Sequence, residues 1–292
     1  MQKGIVVKFV GGVATVWNKD GVFSCLLRKK LRENGVFVGD KVSFSHDKTS
    51  DTYAIELVAE RTNQLKRPPI VNVDTIVIMI SPSPKPDLIL VDKLLIKCFW
   101  ENIEPVLCIN KIDKAEKAFI DDIKQQYANV VKVIEVSAIT GSGVSEFRSV
   151  LKNKFTAMAG QSAVGKSTLL NALAPEVNAE TGELSKKTER GRHTTRFNKI
   201  YLLGDGIMLA DTPGFTMLEL DDDIESSVLE GLYPDFKRLG VCKFRNCNHI
   251  DTDVKLCVVK AAVQSGQLSA ERYARYAEIY KETKKREDKK YG

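Results

Sequence analysis

Two short motifs have the residue types and spacing to bind a phosphorylated purine. Gly160-Gln161-Ser162-Ala163-Val164-Gly165-Lys166-Ser167, followed by Thr168, has the pattern of a phosphate loop. Its backbone N–H groups and the start of the next helix can cradle a β-phosphate, Lys166 can neutralise β- and γ-phosphate charge, and the Ser167 hydroxyl can bind Mg²⁺. Base preference comes from Asn110-Lys111-Ile112-Asp113. The Asp113 carboxylate can accept the N1–H and N2–H donors of guanine, whereas adenine presents an acceptor at N1 and lacks that amino group. Ser137-Ala138, at the end of the next strand-like run, stands where a backbone N–H would meet guanine O6. A competing reading, an ATP-using enzyme such as a small-molecule kinase, conflicts with Asp113.

Asp211-Thr212-Pro213-Gly214 supplies another corner of such a site. Asp211 can hold Mg²⁺ through water, and the Gly214 N–H can meet a γ-phosphate. Between the phosphate loop and this corner lies Gly191-Arg192-His193-Thr194-Thr195-Arg196, a polar stretch that reads as a nucleotide switch. One of its threonines should ligate Mg²⁺ when GTP is bound, and Thr195 is preferred to Thr194 from its place before Arg196 in related GTPases. Phe215 occupies the position where Ras-like enzymes carry a water-orienting glutamine. A phenyl ring cannot orient water, so slow intrinsic hydrolysis accelerated by a partner is expected, with His193 the candidate to position water. The plainer alternative for His193 is a switch-loop histidine without a catalytic role. The catalytic set read from sequence is thus His193, Lys166 and Gly214.

Cys242-x4-Cys247-x-His249-x7-Cys257 gathers three thiols and an imidazole in a polar stretch. Tetrahedral Zn²⁺ takes such a set, and four protein ligands leave no open position, which predicts one structural site. Three unlinked thiols beside a surface histidine are the alternative. Cys25, Cys98 and Cys108 lie in apolar runs and read as inert core thiols.

The elements that must position these groups follow from periodicity. Residues 4–60 alternate with turn residues every few positions, which predicts a five-stranded OB-fold barrel. Phe9, Trp17, Phe23 and Phe44 read as its core, with base stacking the alternative, and Arg28-Lys29-Lys30-Leu31-Arg32 reads as a solvated basic loop. Arg67-Pro68-Pro69 reads as a stiff linker. Beyond it, strands near 73–80, 105–109, 130–136 and 155–159 alternate with helices near 87–102, 115–127 and 143–152, and strands near 198–203 and 206–210 complete six. That alternation predicts a doubly wound α/β layer.

The motif order is inverted. An ordinary GTPase has its phosphate loop before its base-reading motif, whereas here Asn110 to Asp113 precedes Gly160 to Ser167. The strands therefore run as the fourth to sixth of a GTPase followed by the first to third, which is a circular permutation. Expected domains are an OB-fold at 1–64, a circularly permuted α/β P-loop GTPase domain at 65–219 and a helical zinc-binding module at 220–292. Gly214 then leads straight into the cysteine-bearing module, so a γ-phosphate contact there should reposition it. Residues 267–290 read as a charged helix whose Tyr273, Tyr276 and Tyr280 pack on that module. Its Lys/Arg-rich end, Lys281 to Lys290, reads as a solvated tail, with nucleic-acid contact the lesser reading.

With these residues in place, the chain resembles the ribosome small-subunit-dependent GTPase family known as RsgA, YjeQ or YloQ over almost its whole length. The resemblance implies GTP hydrolysis stimulated by the small ribosomal subunit, binding to its rRNA, and a role in late subunit maturation. A GTP-switched RNA-binding module with negligible turnover is the alternative. Two departures stand out: the family often has Gly where Ala163 stands, and Glu-Pro-Gly before the last zinc cysteine, where this chain has Lys255-Leu256. Alanine tolerates positive φ poorly, so the first departure bears on loop geometry.

Bulk properties fit this reading without selecting it. The chain has 292 residues, 43% hydrophobic and 28% charged, with a formal net charge of +6, a balance compatible with a polyanionic partner. Its sequence contains no run of about 18 apolar residues and no signal-like start, which predicts a cytoplasmic protein, expected to be monomeric, with no membrane partner.

Overall fold

The computed structural model describes residues 1–28, 31, 35–47, 51–66, 68–173, 199–211 and 220–291. The alternating N-terminal runs form β1 (Gln2–Val10), β2 (Val13–Asn18), β3 (Gly21–Leu27), β4 (Lys41–Asp47) and β5 (Thr52–Val58). They pair in the order β1-β2-β3-β5-β4, and β1 pairs back onto β4 with Gly4 opposite Val42. The barrel is thereby closed, as the OB-fold expectation requires. Period-two alternation sends Val6, Val16, Cys25, Phe44 and Ile55 inward. Burial raises the Cys25 thiol pKa to about 11, in keeping with an inert core cysteine. Phe44 is fully buried and Phe23 packs 5.1 Å from it. Phe9 packs against both the barrel core and the neighbouring α/β core, whereas Trp17 packs against the latter. Arg28 pairs with Glu56 at 2.9 Å, while Lys29, Lys30 and Arg32 lie outside the described residues.

The expected linker is more ordered than a spacer. β6 (Gln64–Lys66) and β7 (Pro69–Val71) form an antiparallel ribbon. Leu65 and Ile70 are buried in the same cluster as Val7 and Val38 of the barrel region, Val73, and Ile76 of the strand that follows Val73. Burying those side chains is what converts a proline-stiffened connection into a wedge between two modules.

The α/β layer contains β8 (Thr75–Ile80), β9 (Glu104–Ile109), β10 (Lys132–Glu135), β11 (Phe155–Ala159), β12 (Lys199–Leu203) and β13 (Ile207–Asp211), with α1 (Leu88–Trp100), α2 (Lys117–Tyr127), α3 (Val144–Leu151) and α4 (Lys166–Leu173) between and after them. Strand order is β10-β9-β8-β11-β13-β12. Pairing is parallel from β10 to β13, and β12 is antiparallel to β13. β8 and β11 are buried at every residue, as expected of strands covered on both faces. Cys98 and Cys108 are wholly buried, and desolvation holds both thiols protonated by raising their pKa values. The outer edge of β12 meets β1 with Lys8 opposite Lys199, so barrel and layer share one continuous sheet.

The C-terminal region contains helices Pro234–Lys237, Val258–Gln264 and Ala270–Tyr291. Its apolar cluster includes Tyr233, Phe236, Val259, Tyr276 and Ile279, and also Ile96 of α1. The tyrosine stripe packs as expected: the Tyr273 hydroxyl donates to His249 O at 2.6 Å and Tyr276 to Asn248 O at 2.8 Å. Asn248 Nδ2 lies 3.3 Å from the Tyr280 hydroxyl.

The same long helix is not solvated on its other side. Arg272 Nη1 lies 2.6 Å from Asp92 Oδ1 and its Nε 2.6 Å from Asp235 Oδ2. Arg275 Nε lies 2.6 Å from Asp92 Oδ2, and its Nη2 donates to Gln126 Oε1 at 2.9 Å. The Tyr127 hydroxyl completes the group by donating to Asp92 at 2.9 Å. Burial opposes the Arg272 charge, but the two carboxylates more than offset it and raise its pKa above the ordinary arginine value. Removing one member of such a buried set leaves charge unpaired and costs about 3–5 kcal/mol. Asp92→Asn is therefore expected to lower the unfolding free energy by an amount of that order in urea titration. An unchanged midpoint and slope would show that the network contributes no net stability.

Candidate nucleotide site and cysteine cluster

The parallel strands bring the sequence motifs to one edge. Ala159 pairs with Ile78, Ile80 with Ile109, and Ile109 with Glu135. Gly160, Asn110 and Ser137 therefore leave their strands at neighbouring levels, at the carboxyl end of the sheet where open α/β folds bind ligands. Ala157 pairs with Ala210, which sets Asp211 beside Met158 on the same edge.

Around the phosphate loop, sterics leave little choice of residue. Gly165 has φ +96°, and a Cβ there would fall 2.4 Å from Asn110 Nδ2. Gly160 has φ +131°, and its Cβ would fall 2.2 Å from Met79 O. Ala163 adopts φ +64°, a left-handed conformation that costs a residue with a Cβ about 1–2 kcal/mol relative to glycine. Ser162 and Ala163 are exposed and Val164 is buried. This splits the loop into a solvent-facing turn and a hydrophobic anchor packed with Met79 and Leu169.

Lys166 opens α4, and its Nζ donates to Gly160 O and Gln161 O, each at 2.7 Å. The ammonium thus folds back over its own loop, and partial desolvation lowers its pKa. Ser167 and Thr168 are exposed in the first turn of α4, where helix N–H groups are unsatisfied. The Gln161 side chain accepts from Asp87 N at 2.8 Å, a contact that no motif in the sequence marks.

The base-reading segment is tied directly to that loop. Asn110 is buried; its Nδ2 donates to Val164 O at 2.9 Å, while its Oδ1 accepts from Ala138 N at 3.3 Å. Lys111, in the left-handed region at φ 62°, donates through Nζ to Ala163 O and Ser83 O at 2.7 Å. Ile112 packs against the layer core and starts the short turn that presents Asp113. Ser137 Oγ donates to Asp113 Oδ1 at 2.6 Å, which fixes the carboxylate's orientation and leaves its other oxygen for a ligand. Asn110, Lys111, Asp113, Ser137, Ala138 and the loop from Gly160 to Lys166 are thus brought together. His193, Thr194, Thr195, Gly214 and Phe215 lie outside the described residues, as does the side chain of Asp211.

A separate cluster lies in the C-terminal region. The ligand atoms of Cys242, Cys247, His249 and Cys257 all fall within 4.8 Å of one another, a group that could hold a metal ion. His249 Nδ1 lies 3.5, 3.4 and 3.4 Å from the sulfurs of Cys242, Cys247 and Cys257. Its other nitrogen, Nε2, lies 2.9 Å from Glu230 Oε2, the outer contact that fixes which ring nitrogen faces a metal. Glu230 was not marked by the cysteine spacing, because it comes from a different turn of the chain. Desolvation lowers the His249 pKa and raises that of Cys257 to about 11. For Cys247, the Thr252 hydroxyl and its cluster neighbours outweigh burial and lower the pKa.

Comparison with known proteins identifies the family of the whole chain. A family model described as RsgA GTPase matches residues 58–221, and a second, described as 50S ribosome-binding GTPase, matches residues 155–290. The second match starts at β11 and covers neither Asn110 to Asp113 nor Ser137-Ala138. The small ribosomal subunit biogenesis GTPase RsgA of Halalkalibacterium halodurans is 37% identical over 300 residues, covering 100% of both chains. Its counterpart from Caldanaerobacter subterraneus subsp. tengcongensis is 35% identical over 294 residues, covering 99% of this chain and 98% of that one. Among solved structures, YjeQ from Thermotoga maritima superposes with a TM-score of 0.82 at 32% identity, covering 97% and 98% of the two chains. YloQ, a circularly permuted GTPase, gives 0.80 at 32% identity, covering 98% and 96%. With the family model spanning more than half of the chain and relatives matched end to end, the protein belongs to the RsgA GTPase family.

Proposed function

We propose that this chain hydrolyses GTP to GDP and phosphate on the small ribosomal subunit, in contact with its rRNA, during late maturation of that subunit. The observation that carries the reading is the Asn110 side chain, which joins Val164 of the phosphate loop to Ala138 of the base-reading edge. A nucleotide held there would be read at both ends by one rigid unit. The curated relatives named above are small-subunit biogenesis GTPases, which supports the choice of partner.

Within that reading, Asp113 selects guanine, Ala138 N–H meets its O6, and the N–H groups from Gln161 to Thr168 cradle the phosphates. Lys166 leaves its loop carbonyls to meet the β- and γ-phosphates. Ser167, Asp211 and Thr195 would hold Mg²⁺, which when bound neutralises charge on the β- and γ-phosphoryl oxygens. Gly214 donates to the γ-phosphate and His193 positions water, since Phe215 cannot. The proposed domain division is 1–64, 65–219 and 220–292, and the protein acts as a cytoplasmic monomer. No helix among the described residues is long and apolar enough to cross a membrane.

For the cysteine cluster we assign one structural Zn²⁺. With Zn–S about 2.3 Å and Zn–N about 2.05 Å, tetrahedral edges are about 3.8 Å between sulfurs and about 3.6 Å from sulfur to nitrogen. The Cys242–Cys257 separation is 3.9 Å and the sulfur–nitrogen separations are 3.4–3.5 Å, so the donor set fits. Four protein donors leave no position for substrate, and the ion would tie Cys257, at the start of its helix, to Cys242 and His249.

GTP turnover measured with and without purified small ribosomal subunits should rise at least about tenfold with subunits, and His193→Ala should lose most of that stimulation. Unstimulated turnover would remove the subunit from the mechanism, and full stimulation in the variant would remove His193. Asp113→Asn should weaken GTP binding at least about 100-fold while gaining affinity for xanthosine triphosphate, whose C2 carbonyl suits an amide donor. Equal loss of both nucleotides would mean that Asp113 acts only on the fold. Elemental analysis should find one zinc per chain, and chelation should lower the thermal midpoint by several degrees. A metal-free protein indifferent to chelators would leave three unlinked thiols.

A further inference from the structure

The three thiols of the metal cluster are alike in sequence but unequal in surroundings. Cys247 and Cys257 are 4% and 1% exposed, whereas Cys242 is half-buried. Cys242 borders an open cavity of about 180 Å³ together with Phe244, Lys237 and Arg245. A cavity needs only about 10–15 Å³ to hold a water, so a molecule of a few atoms can approach this sulfur. Cys247 and His249 border the same space but are themselves buried. Glu230 lines it as well, with its carboxylate held 2.9 Å from His249 Nε2.

The sulfurs also differ in what donates to them. Cys247 Sγ lies 3.2 Å from the Thr252 hydroxyl and meets the His249 N–H. Cys257 Sγ accepts from Lys260 N at 3.5 Å, at the start of its helix. Among the described residues, Cys242 Sγ has such contacts only within the cluster, to His249 Nδ1 at 3.5 Å and Cys257 Sγ at 3.9 Å. Donors to a thiolate draw charge from sulfur and lower its nucleophilicity. Cys242 is spared that damping. Accessible thiolates in electropositive surroundings are the ones that oxidants attack, and Lys237 and Arg245 are both exposed beside this cavity.

We propose that Cys242 is a peroxide-reactive ligand and that its oxidation releases zinc from the C-terminal module. The proposal rests on the zinc assignment above and adds a modification site to it. The Cys242 thiolate attacks one oxygen of hydrogen peroxide: an S–O bond forms, the O–O bond breaks, and hydroxide leaves, giving the sulfenic acid. The Cys257 thiolate, 3.9 Å away, then attacks the Cys242 sulfur, and a second hydroxide leaves as the S–S bond forms. The two thiolates lose two electrons in total, and one peroxide becomes two hydroxides. Cys247 and His249 remain as donors, too few for the four that a structural zinc site requires. Because Cys257 caps the helix Val258–Gln264, the change falls at the joint between metal loop and helix.

The test treats the full-length, zinc-loaded protein with hydrogen peroxide and follows released metal with a chromogenic chelator. Acid quenching at successive times, then alkylation of the remaining thiols and mass spectrometry of the peptides, gives the order of oxidation. Cys242 should lose its thiol at least about tenfold faster than Cys247, and a Cys242–Cys257 disulfide should accumulate in step with zinc release. Buried Cys25, Cys98 and Cys108 should stay reduced. Dithiothreitol with added zinc should restore the metal content. Zinc kept through the peroxide treatment, or Cys247 oxidised ahead of Cys242, would overturn the proposal. Zinc content before the oxidant is added separates the two readings: a protein without zinc at the start overturns both, whereas one zinc per chain that survives oxidation overturns only the peroxide reactivity.

Discussion

A purine nucleotide presents its base and its phosphates at opposite ends, so the loops that read them must keep a fixed separation. In this chain that constraint falls on one buried amide. Asn110 donates to the phosphate loop at Val164 O and accepts from Ala138 N beside Asp113, and Lys111 adds a second strut to Ala163 O. A carboxylate at position 110 could not do both, because it has no donor, whereas a carboxamide offers a donor nitrogen and an acceptor oxygen on one planar group. Gly165 is required for the same reason, since a Cβ would occupy the space of the Asn110 amide. Circular permutation leaves this geometry intact because it depends on which strands are neighbours, not on which comes first along the chain.

The sequence made this site readable to the extent that it is local. Strand–loop–helix at 155–173, the ends of β9 and β10 and the four metal-site residues each sit within one short stretch, where spacing encodes geometry. Long-range pairings left no such trace. The meeting of Lys8 with Lys199 joins two strands nearly two hundred positions apart, and neither strand's alternation specifies a partner. Arg67-Pro68-Pro69 read as a spacer because proline restricts the backbone, yet Leu65 and Ile70 on either side supplied the apolar contacts that fold it back.

Arg272 and Arg275 are the clearest case of physics hidden from pattern. Burying a charge is costly without a partner, and nothing near these two residues in sequence names one. Here Asp92 and Asp235 are those partners, and Asp92 lies in a helix that sequence assigns wholly to the nucleotide layer. By contrast, Tyr273 and Tyr276 were legible, since their spacing marks one helix face and their hydroxyls found acceptors at Asn248 and His249. One helix therefore grips the metal-site loop with one face and the nucleotide layer with another.

Asp92 directs attention to α1 as the element shared by all three parts of the chain. At its N-terminus, Asp87 N donates to Gln161 of the phosphate loop. At its middle, Asp92 holds the C-terminal helix through Arg272 and Arg275. Nearer its C-terminus, buried Lys97 meets Asp221 at 3.1 Å, and the next residue after the helix, Glu101, accepts from Gln64 N of the ribbon at 3.3 Å. Arg286 of the C-terminal helix holds the same post-corner segment as Lys97, donating to Leu220 O at 2.5 Å and Ile224 O at 2.7 Å. One helix thus touches the phosphate loop, the C-terminal helix and the ribbon that leads from the barrel. The middle of the helix is its firm hold, because buried ion pairs fix position where exposed ones are weak and mobile, whereas the contacts at its two ends, to Gln161 and Gln64, face solvent. Asp92 and Lys97, at 1% and 2% exposure, supply that hold, and their distant partners explain why charge is buried among the otherwise apolar inward residues of α1.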